Sequence, residues 1–194
     1  MTLASLRQAV LLVALLNLAY FGVEVGVATA IGSVSLIADS VDFLEDAFVN
    51  GLIVVALGWT ARHRASVGML LATLLLMPAL ATLWMAGHKL MHPFPPEPFS
   101  LTLTGLGALA VNLSCAFILV RFRHHKGSLT RAAFLSARND AFANVAIIVG
   151  GFITAFTLSS WPDLVVGLGI AVMNAGAARE VWEAAHAEHR AAQL

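Results

Sequence analysis

Four carboxylates, Asp39, Asp42, Glu45 and Asp46, fall within Ser33 to Val55 (SVSLIADSVDFLEDAFVNGLIVV), a stretch otherwise suited to lipid. A carboxylate at mid-bilayer is disfavoured by roughly 2.5 kcal/mol even on the mildest scale, so ionisable residues there mark a bundle interior or an ion path. At ~100° per residue, Asp39, Asp42, Asp46 and Asn50 share an arc of roughly 80°, while Val41, Leu44, Phe48 and Leu52 point the opposite way. Glu45 lies about 100° off the polar face and is left out of the site. A polar cluster that merely packs helices is the alternative reading, but three aspartates repel one another and call for a cation, a proton or a basic partner.

A second polar stripe runs through Ser136, Asp140 and Asn144, spaced i, i+4, i+8 on one face about 80° wide, with Arg138 pointing away. Lesser stripes join Asn17, Tyr20 and Glu24, and Asp163, Gly167 and Asn174. These two read as interhelical hydrogen bonds, with Glu24 and Asn174 able to enter a second layer around the site. Gly150, Gly151, Gly167, Gly169 and Gly176 suit close helix packing.

The elements that must position these residues follow from composition. Of 194 residues, 59% are hydrophobic and 11% charged, against about a quarter charged in soluble domains. The expectation is an all-α membrane protein, a single domain over residues 1–194 with six transmembrane helices near 9–31, 36–61, 67–90, 101–120, 132–158 and 164–185. The breaks are GSVS, TARHRA, MHPFPPEPFS, RFRHHKGSLTR and SSWPD. The first apolar run is too long for a signal-peptide core and reads as a retained span. Net charge is zero, which gives no reason to expect nucleic acid as a partner, and the single Cys115 allows no internal disulfide.

With cytoplasmic termini, Arg7, Arg62, Arg64, Arg121, Arg123, Lys126, Arg131, Arg179 and Arg190 all fall inside, leaving Lys89 outside and Arg138 within the fifth span. Rise per residue then sets depth. Asp46 lies ~15 Å from the outer end of the second span, and Asp140 and Asn144 lie ~12 Å and ~18 Å from the inner end of the fifth. Two antiparallel spans therefore bring carboxylates to one level near mid-bilayer.

GSVSLIADSVDFLEDA resembles the turn into the second helix of the cation diffusion facilitator family, where an [HD]xxxD pair falls on Asp42 and Asp46. LSARNDAFANVAIIVGG resembles the family's fifth-helix HxxxD motif, with Asp140 as its second member and Ser136 at the place of its histidine. WPDLVVGLGIAV is similar to the start of the sixth helix, so the likeness covers the whole membrane portion. It implies a secondary transporter moving a divalent transition-metal cation (zinc, cobalt, manganese, iron or cadmium), outward and against protons. The metal site would be Asp42, Asp46, Asp140 and Asn144, with Ser136 and Asp39 as lesser candidates. Replacing the histidine by Ser136 leaves a harder, oxygen-rich donor set, which weakens a preference for zinc and admits manganese, cobalt or iron.

The implied setting is the bacterial inner (plasma) membrane. The metal is cargo, no tightly bound cofactor is expected, and the partners are the metal cation, protons and the lipid bilayer. The family's C-terminal cytoplasmic metal-binding domain has no counterpart here, so any homodimer would be held by membrane helices. His124 and His125 read as positive-inside loop, and Glu183, His186 and His189 as a solvated helix end. No enzymatic activity is expected. An intramembrane aspartyl protease also needs two aspartates on neighbouring spans, but no GxGD surrounds Asp140. A non-transporting metal-sensing or structural subunit is the other alternative.

Overall fold

The computed structural model describes residues 3–56, 80–120 and 128–175, with side chains over 6–55, 80–120 and 140–175. Six helical segments and no strand occur among the described residues: α1 (Leu3–Ile31), α2 (Val34–Ala56), α3 (80–91), α4 (Pro98–Val120), α5 (Ser128–Thr157) and α6 (Trp161–Ala175). The first part of the third span, His124 and His125 with their loop, and the tail carrying Glu183, His186 and His189 lie outside the described residues, as do the side chains of Ser136 and Arg138.

Leu6–Ile31, Pro98–Val120 and Asp140–Thr157 are long and apolar enough to cross a bilayer. At 23 residues α2 is comparable in length to α4, and its four carboxylates set it apart in composition. Large apolar side chains cover the outside, among them Phe156 at 88% and Trp84 at 79% exposure, as befits a surface that meets lipid. The chain is an all-α membrane protein.

The turn between α1 and α2 sets the level of everything on α2. Gly32 sits there at φ +65°, a left-handed conformation that closes α1 and that side chains resist. The ring of Phe94 occupies the space a Cβ at Gly32 would need. Just beyond it the backbone N–H groups of Val34 and Ser35 donate to Asp163 at 2.9 and 3.1 Å, so a carboxylate from α6 caps the start of α2. The Ser33 and Ser35 hydroxyls donate to the same carboxylate at 2.7 and 2.6 Å. Lys89 of α3 completes this anchor at the Gly32 end, donating to Asp163 Oδ2 and to the Gly32 carbonyl, both at 2.7 Å. Lys89 is only 1% exposed, so the lone basic residue expected on the outer side, at the end of the third span, is a buried counter-charge.

Elsewhere α1 packs along α2 and α4, while α5 packs along α4 and α2. Small residues set the spacing, since a Cβ at Gly151 would strike Thr102 and one at Gly107 would strike the Tyr20 hydroxyl. An apolar cluster of Ala28, Leu36, Ile37, Leu101, Ile147 and Ile170 ties five helices together towards the Gly32 end. A second, of Val10, Val13, Val54, Cys115 and Leu119, ties α1, α2 and α4 towards the other end. Along α1 and α2, buried polar residues lie between these two apolar layers.

Candidate cation site

The polar face expected on α2 turns into the bundle: Asp39, Asp46 and Asn50 are buried, and Asp42 is partly exposed. Asn50 bonds back to its own helix, its Nδ2 donating to the Asp46 carbonyl at 2.8 Å. Glu45 is partly exposed on the flank, yet its charge acts on both Asp42 and Asp140.

From α5, Asn144 is fully buried and its Nδ2 donates to Asp39 Oδ2 at 2.6 Å. Its Oδ1 accepts from Asn112 Nδ2 of α4 at 2.9 Å. Reversing the Asn144 amide would set two acceptors against each other across that short contact, so Asp39 and Asn112 together hold its orientation. The amide oxygen expected to face a metal is therefore engaged with Asn112, and Asn144 here supports Asp39. Offering that oxygen to a cation requires rotation of the Asn144 side chain.

This hydrogen bond also fixes the register of α5 on α2. Asn144 pairs with Asp39 rather than standing level with Asp46, so Asp140, one turn before Asn144 on an antiparallel helix, falls near the level of Asp42. The difference from the depth arithmetic is about one to two helical turns, the slack expected when levels are counted from soft span ends and helices tilt. Asp42 lies in the field of Asp140, Asp39, Glu45 and Asp46, and Asp140 in that of Asp46, Asp39 and Glu45. Each of these interactions is between like charges. Among the described residues no three His, Cys, Asp or Glu side chains converge closely enough to hold an ion, so Asp42, Asp46 and Asp140 share a neighbourhood without forming a closed cage. Like charges hold one another apart, and a divalent cation placed between them would draw them in.

Two residues of the lesser stripes take definite roles. Asn174 donates to the Ala38 carbonyl at 3.1 Å, and Tyr20 donates to the Thr104 carbonyl at 2.6 Å, both interhelical bonds as expected. Glu24 departs from that reading. It is fully buried, and apart from the neighbouring carboxyl of Asp39 neither of its carboxylate oxygens has a hydrogen-bond partner. Its neighbour across the α1–α2 contact is Asp39, whose Oδ1 likewise has none. A signal for this was present in the sequence: Glu24 and Asp39 flank Gly32 at nearly equal separations, so a tight turn brings them level.

The sequence pattern of the cation efflux transmembrane domain matches residues 10–185. No curated protein matches the chain.

Proposed function

We propose a specific activity for this chain, which belongs to the cation efflux family and is a multi-pass membrane cation transporter of the cation diffusion facilitator kind: it moves a divalent transition-metal cation outward in exchange for protons. The observation that carries this reading is the meeting of carboxylates from antiparallel α2 and α5 in one electrostatic neighbourhood inside the bundle. Asp42, Asp46 and Asp140 are the metal-binding groups in this reading, with Asn144 and Asp39 as their hydrogen-bonded support and Ser136 at the remaining motif position.

The chemistry follows from like charge. Ionised, these oxygens attract a dication strongly; protonated, they release it, so metal and proton compete for the same atoms. Opening the site to the inner side loads metal, and opening it to the outer side, where protons compete, discharges it. Rocking of helices about a fixed midplane site supplies the alternation. An oxygen-only set favours the harder members of the series, so manganese, cobalt and iron stand beside zinc as cargo. The exposed Trp84 of α3 and the glycine-bearing α6 are candidate contacts for a homodimer.

The test is flux into proteoliposomes made with the purified chain alone, across a panel of divalent metals, with and without an imposed pH gradient. Metal movement that accelerates when protons can flow the other way is expected. Metal binding with no flux for any metal would favour a sensor or subunit role instead.

A further inference from the structure

The carboxylates of Glu24 and Asp39 are a second buried acidic pair, on α1 and α2, lying one turn from Asp42 towards Gly32. Both residues are fully buried, and three of their four oxygens, Glu24 Oε1, Glu24 Oε2 and Asp39 Oδ1, are sealed from solvent without any donor. The fourth, Asp39 Oδ2, is held by Asn144. Asp39 acts on Glu24 both as a like charge and as a hydrogen-bond partner when one of the two carries a proton, and no basic side chain among the described residues acts on either. Buried acceptors are satisfied nearly everywhere in proteins, and leaving one unmade costs about 1–3 kcal/mol, more when it is charged. Three together on two like charges call for something positive between them, a shared proton when the pair is empty and a cation when it is filled.

The geometry around them suits one. Both residues lie about two helical turns from Gly32, roughly 11 Å along their helices, so the turn places them at one level. The Asn112–Asn144–Asp39 chain holds the Asp39 carboxylate through Oδ2, leaving Oδ1 uncommitted. Tyr20, on the same face of α1, has its hydroxyl committed to the Thr104 carbonyl and offers the pair no proton. We infer that Glu24 and Asp39 form an outer cation station, which receives the divalent ion from the Asp42/Asp46/Asp140 level on its way towards the Gly32 end. Two carboxylates neutralise one dication, and their three open oxygens supply half of an octahedral oxygen shell, a hard donor set suited to a manganese-like ion. This station rests on the transport reading above and extends it from one ion level to two.

The test counts manganese ions bound per chain by the purified full-length protein in detergent, using equilibrium dialysis near neutral pH. Wild type is expected to bind two ions, Glu24→Gln one, and Asp46→Asn one. The side-chain amide introduced by Glu24→Gln can donate to Asp39 Oδ1, so this variant should melt no lower than wild type, and its loss of an ion would not come from unfolding. Glu24→Asp, which keeps the charge but shortens the reach, should weaken the outer ion about tenfold without removing it. The inference is overturned if Glu24→Gln binds as many ions as wild type, or if wild type binds a single ion that Asp46→Asn alone removes. Loss of an ion in Glu24→Gln with none lost in Asp46→Asn would keep the outer station and remove the midplane site.

Discussion

Two buried polar regions of this bundle follow opposite rules. At the Gly32 end Asp163 accepts five hydrogen bonds, from two serine hydroxyls, two helix N-terminal amides and Lys89, and its charge is neutralised by that lysine. Deeper in, Glu24, Asp39, Asp42, Asp46 and Asp140 act on one another as like charges, and three of their oxygens have no donor. A group satisfied on every side adds to stability and has little capacity for a ligand. A group left unsatisfied in a low-dielectric interior destabilises the fold and persists where binding something positive compensates. The region at the Gly32 end accordingly anchors the level of α2, and the deeper one is the working site of the proposed transport.

The sharpest way to break this contrast is to neutralise one residue in each region and compare unfolding in detergent. Lys89→Met leaves Asp163 buried without its counter-charge and should destabilise by about 3–5 kcal/mol. Glu24→Gln, measured without metal, relieves repulsion and should leave stability unchanged or raised. If both variants lose stability alike, the deeper carboxylates are structural. A smaller effect is expected from Asn112→Ala, which removes the donor that orients Asn144 and through it Asp39. Loss of such a support typically weakens metal binding roughly 10- to 100-fold. Metal titrations of this variant should show that loss, together with a destabilisation of about 1–3 kcal/mol from the Asn144 oxygen left without its donor.

The smallest effect belongs to the outer rim. Glu97 caps α4: hydrogen bonds from the Ser100 hydroxyl, the Ser100 N–H and the Phe99 N–H hold its carboxyl below the ordinary value of 4.5. Because the folded-state value is depressed, this contribution is fully present above pH 4.5 and is lost as pH falls through the folded value. Glu97→Gln should therefore melt slightly below wild type at pH 7, with the gap closing under acid conditions. A gap that stays constant with pH would assign the effect to something other than the carboxylate.

Much of the fold was legible because apolar runs, breakers and the polar stripe on α2 each reflect one helix at a time. Periodicity tells which residues share a face, and Asp39, Asp46 and Asn50 do share a buried one. It carries no information on how two helices slide past each other. The register in which Asn144 meets Asp39 was therefore not legible, nor was the donor Asn112, whose isolated polar position in α4 has no partner within its own helix. Lys89 and Asp163 lie 74 residues apart, and nothing local to either announces the pair. Glu24 was visible as an intramembrane acid, but only packing against α2 distinguishes a satisfied residue from an unsatisfied one.

The most direct measurement is calorimetric binding of a divalent metal, manganese or zinc, to wild type and to Asp42→Asn, Asp46→Asn and Asp140→Asn, each first shown to be folded. Each substitution removes one charge at nearly constant volume, and affinity should fall at least tenfold in all three while the fold persists. If two of the three bind metal as wild type does, the cation site lies elsewhere in the bundle and the carboxylates of α2 and α5 are not its chemical basis.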